Sequence, residues 1–125
     1  MTSPADRYRR WVVLWLNGLV ALVVAMIIVG GLTRLTHSGL SMVEWRPLMG
    51  VFPPVGEAAW AEVFEKYKQY PEYQKINAGM ELSAFKRIFW FEYGHRMLGR
   101  LIGLAFLLPF LLFLYLLMFH QQKVQ

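Results

Sequence analysis

Hydrophobic and polar positions divide this chain into two long apolar runs with a polar stretch between them. The first run, Trp11 to Leu32, holds 22 residues without a charge and is interrupted only by Asn17 and by glycines. As a helix it would be about 33 Å long, enough for a hydrocarbon core of ~30 Å. Trp11 and Trp15 stand at its start, where aromatic belts lie. The run is longer than the ~7–15 apolar residues of a signal peptide, and Gly30-Gly31-Leu32-Thr33-Arg34 is a poor cleavage site. The second run, Leu101 to Phe119, has 19 uncharged residues with Pro109 inside it. Pro109 is expected to kink the helix. Lipid tolerates such a proline because a neighbouring helix satisfies the carbonyl it frees. The helix should begin well before Leu101, since Ala84 to Phe91 is aromatic and basic and suits an interfacial lead-in.

The middle stretch reads differently. Charges of both signs are interspersed, and Pro53-Pro54 and Gly56 break the chain. Trp60, Val63, Phe64 and Tyr67 then fall at i, i+3, i+4 and i+7, one face of a short amphipathic helix that Pro71 stops. The simplest use of that stripe is packing against the membrane surface or the rest of the protein. The pattern predicts an all-α membrane protein in five parts: a tail over 1–10, a transmembrane helix over 11–32, an extramembrane loop over 33–84, a lead-in and second transmembrane helix over 85–119, and a tail over 120–125. Arg7, Arg9 and Arg10 favour a cytoplasmic N-terminus, and two spans return the C-terminus to the same side. The loop carries more Lys and Arg, so charge alone leaves the orientation open.

Composition agrees with lipid. Hydrophobic residues make up 57% and charged residues 17%, against roughly 45–50% and 25% in soluble domains. The absence of cysteine excludes disulfides, thiolate metal sites, iron–sulfur ligation and a cysteine nucleophile. The net charge is +5, but the 13 Lys and Arg are scattered, which argues against nucleic acid as a partner.

Ionisable groups at membrane depth are costly and therefore point to function. On a helix, Glu92, His95, Arg96, Gly99, Gly103 and Phe106 share one face. A neutral imidazole on a transmembrane helix can ligate haem iron. Glycines leave a flat surface for a macrocycle, and guanidinium groups suit propionate carboxylates. The same residues have plainer readings: an interfacial histidine, a GxxxG helix-packing motif, and arginines that snorkel to headgroups. His120 lies 25 residues beyond His95, about 37 Å along a helix, and cannot share an iron with it. His37 reads as a solvated loop residue. Asn17 is a candidate for a hydrogen bond between helices, and Gly30-Gly31 for a helix end or tight packing.

Three stretches then carry a family resemblance. The first is Gly30-Gly31-Leu32-Thr33-Arg34-Leu35-Thr36-His37-Ser38-Gly39-Leu40-Ser41-Met42-Val43-Glu44-Trp45. The second is Pro53-Pro54 followed by Trp60, Phe64, Tyr67, Pro71-Glu72-Tyr73 and Asn77. The third is Phe85-Lys86, Phe89-Trp90-Phe91-Glu92-Tyr93-Gly94-His95-Arg96 and Gly99-Arg100-Leu101-Ile102-Gly103. In order and spacing they resemble the N-terminal part of the haem A synthases, in the cysteine-free alphaproteobacterial and mitochondrial branch. The resemblance implies an inner-membrane enzyme of haem biosynthesis that oxidises the C8 methyl of haem O to a formyl group for cytochrome oxidase assembly. It implies an eight-helix fold built from two four-helix bundles, with this chain supplying part of the first. It further implies haem B as cofactor, haem O as substrate, and membrane lipid, haem O synthase and an electron donor as partners. His95 matches the first histidine of the N-terminal pair, an axial ligand of the substrate iron, and Glu92 the reacting-site glutamate. Arg96 and Arg100 match basic residues near the propionates, with Gly99 and Gly103 beside the macrocycle. Both termini would be cytoplasmic and the loop outside.

The chain departs from that pattern at His37, where an acidic residue is usual, and in stopping after two spans. The partner histidine and the second bundle are not in it. The expectation is an N-terminal portion, inactive alone, that needs the remaining helices or another chain. Two other functions compete: a two-span structural subunit, and a haem-binding electron-transfer subunit. The second would want another histidine at matching depth. The first has no need of Glu92 in line with His95.

Overall fold

The computed structural model describes residues 3–46 and 49–122. Those residues form helices and turns with no strand. In chain order come α1 (Pro4–Leu35), a single 3₁₀ turn (Met49–Val51), α2 (Glu57–Lys68), α3 (Pro71–Lys75) and α4 (Leu82–Gln122). Helices α1 and α4 are both long and apolar enough to cross a membrane, with mean hydropathies of 2.8 and 2.6 over their most apolar 18 residues. Both outrun the sequence-predicted spans. Helix α1 starts at Pro4 because Ser3-Pro4-Ala5-Asp6 is a capping box: the Asp6 N–H donates to Ser3 Oγ and the Ser3 N–H to Asp6 Oδ2, each at 3.2 Å. Pro4 fills the first helical position, where its missing N–H costs nothing. The protein is an all-α membrane protein of two compact units, one of residues 1–26 with 98–125, the other of residues 27–97.

In the first unit, α1 and α4 meet along a narrow seam. Val12, Trp15, Leu19, Leu22 and Met26 are half-buried on α1, as are Ile102, Ala105, Pro109 and Phe113 on α4. The spacing runs in threes and fours, the pattern of helices crossing at a small angle. Gly99 leaves room for Met26, whose Cε lies 3.4 Å from where a Cβ would stand. Neighbouring positions are exposed, which in lipid is their proper state. Trp15 stacks on Phe106 at 5.9 Å and meets Phe113 edge-on at 5.4 Å. Its indole N–H donates to the Ala105 carbonyl at 2.6 Å. That carbonyl is the one Pro109 frees, being four residues earlier. Asn17, the residue expected to bond between helices, is exposed and forms no such bond among the described residues.

The second unit has an aromatic core. Trp60, Phe64 and Tyr67 of α2 pack on Phe85, Ile88 and Phe89 of α4, all under 9% exposed. The stripe foreseen in the sequence therefore packs on the protein itself. Helix α2 ends at Lys68, and Pro71 opens α3 at its first position rather than stopping α2. Gly56 and Gly79 take φ of +86° and +82° ahead of α2 and α4, turns that a side chain would strain. Helix α1 closes in a Schellman motif: Ser38 N–H bonds the Thr33 carbonyl at 2.9 Å and His37 N–H bonds the Arg34 carbonyl at 3.2 Å. His37 occupies the left-handed position of that motif, at φ +50°.

Candidate functional site

The second unit brings Glu92 and His95 to one cleft of about 420 Å³. Its walls are Gly30, Thr33 and Arg34 of α1, His37 and Gly39 of the turn, Glu72 of α3, and Glu92 and His95 of α4. His37 was read as a solvated loop residue. It is exposed, but it lines this cleft, because the Schellman turn folds the chain back beside the end of α1. Gly30 lies against His95. A Cβ there would stand 3.4 Å from His95 Nε2, so the glycine leaves that nitrogen uncovered by side chain.

Glu92 is 5% exposed. Its two oxygens have different neighbours. Arg96 Nε donates to Oε1 at 2.6 Å, and His95 Nδ1 stands 3.8 Å from Oε2. Spacings of three and four residues on α4 place all three side chains on one face. The guanidinium of Arg96 reaches further: Nη2 donates to the Met42 carbonyl at 2.9 Å and Nη1 to the Glu44 carbonyl at 3.2 Å. Two other bonds tie the same loop to α4. Ser41 Oγ donates to the Ile88 carbonyl at 3.2 Å and the Tyr93 hydroxyl to the Val51 carbonyl at 2.6 Å. The Glu44 carboxylate faces away from this set, toward Lys66 at 2.9 Å and Arg46 at 2.8 Å. The hydrogen bond from Lys66, then the charge of Arg46, hold it below the usual carboxylate range.

The sequence-predicted site residues therefore separate. Glu92 and His95 line the cleft. Arg96 is half-buried, with its nitrogens spent on Glu92 and two loop carbonyls instead of being held open for an anion. Gly99 packs on Met26 in the other unit, Gly103 meets nothing within 4 Å, and Arg100 is half-buried there. Thr33, Arg34 and Glu72 entered the sequence reading only within the family-like stretches, and the loop carbonyls carried no signal there. Gly30 did, as half of the Gly30-Gly31 pair.

Among the described residues no three His, Asp or Glu side chains converge on a metal-sized point. Two histidines, His95 and the exposed His37, line the cleft; an imidazole there suits a different metal centre, an iron whose macrocycle already supplies four nitrogens and takes a further ligand from a side chain. The cleft, the His95 imidazole and the basic Arg34 on its wall fit a flat, carboxylate-bearing ring.

Residues 13–125 match the family described as cytochrome oxidase assembly protein. The chain is similar to three curated proteins named heme A synthase. It is 58% identical over 113 residues to that of Rhodopseudomonas palustris (strain BisA53), covering 90% of this chain and 31% of the relative. It is 54% identical over 117 residues to that of Bradyrhizobium diazoefficiens, covering 92% and 32%. It is 60% identical over 103 residues to that of Nitrosospira multiformis, covering 82% and 29%. The chain thus spans about a third of the length of the curated relatives it matches. No solved structure matches it.

Proposed function

The chain belongs to the cytochrome oxidase assembly protein family, and on that premise we propose that it forms the substrate half-site of a haem A synthase. In this reading the cleft between the end of α1 and the first turns of α4 receives haem O, and the reaction converts its C8 methyl to a formyl group. The observation that carries it is the pairing of His95 with a buried Glu92 in one cleft.

The geometry supports a role for each residue. His95 presents Nε2 to the iron of the substrate, while its Nδ1 faces Glu92 Oε2. Drawn in to hydrogen-bond length, that contact would hold the proton on Nδ1 and leave a lone pair on Nε2 for the iron. Glu92 holds one oxygen fixed by Arg96 and keeps the other toward the cleft, where it accepts or returns a proton as the methyl is oxidised. Arg34 on the rim is placed to meet a propionate. Haem B, when bound, would supply electron-transfer chemistry; we assign it to the second bundle of the family fold, while the partner histidine for the substrate iron would come from the remaining helices of the first bundle. We place the protein in the inner membrane with both termini cytoplasmic, in keeping with Arg7, Arg9 and Arg10.

The test is haem A formation. The chain is expressed in cells lacking haem A synthase together with the C-terminal two thirds of the Rhodopseudomonas relative, and extracted haems are separated by chromatography. Haem A should appear, and Glu92→Gln should reduce it at least about 100-fold, as expected for loss of a proton-transfer group. Haem A formation indifferent to Glu92 would contradict the reading.

A further inference from the structure

We propose that Arg96 is a positioning residue, which orients the Glu92 carboxylate and locks that orientation to the loop at Met42–Glu44. The loop is fastened to α4 at three places: Ser41 to the Ile88 carbonyl, Tyr93 to the Val51 carbonyl, and Arg96 to the carbonyls of Met42 and Glu44. Only Arg96 also holds the reacting-site glutamate. A guanidinium is planar and rigid, so one group that donates Nε to Glu92 and both Nη atoms to the loop fixes the two relative to each other.

The consequence is specific. Glu92 is 5% exposed, and a carboxyl group so buried needs a donor. Arg96 supplies it to Oε1 alone. Rotation of the carboxylate is thereby stopped with Oε2 toward His95 and the cleft. Displacing Met42 and Glu44 would pull on the same guanidinium, so the orientation of Glu92 depends on that segment being seated and not on residues 50–52. A lysine at position 96 would restore the charge without the fork, and could not serve Glu92 and both carbonyls together. The importance of this arrangement for catalysis rests on the haem reading above; the arrangement itself does not.

The experiment uses the full chain in lipid nanodiscs without haem. Glu92 is probed with a hydrophobic carbodiimide, and its modification is scored by mass spectrometry in wild type, Arg96→Gln, Arg96→Lys and Tyr93→Phe. Amide exchange at residues 50–52 reports the loop. In wild type Glu92 should be protected. In Arg96→Gln its modification should rise about tenfold, the scale of one lost hydrogen bond to a charged group, with an intermediate value in Arg96→Lys. Tyr93→Phe should loosen residues 50–52 yet leave Glu92 as protected as in wild type. Unchanged modification in Arg96→Gln, or an equal rise in Tyr93→Phe, would overturn the proposal, since the loop alone would then account for the protection. If Arg96→Gln does not accumulate in membranes, Arg96→Lys decides: wild-type protection there overturns it. Haem O uptake by the wild type is scored separately by absorbance. Its failure would count against the haem reading and leave the modification pattern to decide the role of Arg96.

Discussion

The indole N–H of Trp15 donates at 2.6 Å to the carbonyl of Ala105, the group that Pro109 leaves without a helical donor. A free carbonyl in lipid has no water to turn to. Two helices are thus joined where one of them is weakest, and the cost of the proline is offset by its neighbour. Trp15→Phe keeps the ring contacts and removes the donor. It should cost about 1–2 kcal/mol of helix–helix stability. With Pro109→Ala the backbone N–H returns, and the same substitution should then cost about 0.5 kcal/mol or less. A double-mutant cycle by unfolding in mixed micelles measures the difference; additive effects would refute the pairing.

His37 sits at the left-handed position of the Schellman turn, at φ +50°. Glycine is the residue that takes this conformation without a Cβ penalty. His37→Gly should stabilise the second unit by about 0.5–1 kcal/mol, read as a higher unfolding temperature. A loss of haem O uptake in the same variant would show that the imidazole is kept for its place on the cleft wall.

Tyr67 makes the second unit sensitive to alkali. Burial, chiefly, raises its phenol from 10.0 to about 12; the hydrogen bond received from Asn77 opposes this and the one given to Glu72 adds to it. The folded state therefore favours the neutral phenol. The stabilisation is complete below pH 10 and fades as the pH rises toward 12, by at most ~3 kcal/mol. Unfolding followed over that range should show a steeper decline in wild type than in Tyr67→Phe. Parallel declines would contradict it.

Gly30 separates folding from binding. An alanine there places its Cβ 3.4 Å from His95 Nε2, an ordinary contact. Helix propensity favours alanine by up to ~1 kcal/mol. Gly30→Ala should keep or raise thermal stability while lowering haem O affinity at least about tenfold, the effect of one methyl group against the ligating nitrogen. Unchanged affinity would move the iron away from Nε2.

Side-chain periodicity made much of this legible in the sequence. The stripe Trp60, Val63, Phe64 and Tyr67 announced α2 and its core, because burial on a helix leaves a three-and-four spacing. Glu92 and His95 were visible because ionisable groups at membrane depth are rare. Pro109 announced a freed carbonyl, but not its donor. Asn17 was the obvious polar candidate, while Trp15 read as an aromatic belt residue. Only packing reveals which way each one faces. The partners of Arg96 were hidden for another reason. Two of them are backbone carbonyls more than fifty residues away, and carbonyls leave no trace in residue identity. His37 joined the cleft through a backbone angle, which the sequence encodes weakly where the residue is not glycine.

In the proposed function His95 holds the substrate iron. The most direct test is an absorbance titration of haem O into the purified chain, comparing wild type, His95→Ala and His120→Ala, each oxidised and reduced. We predict a ligated-haem spectrum in wild type and His120→Ala, and its loss in His95→Ala. A spectrum that survives His95→Ala, or that disappears with His120→Ala, would contradict the account.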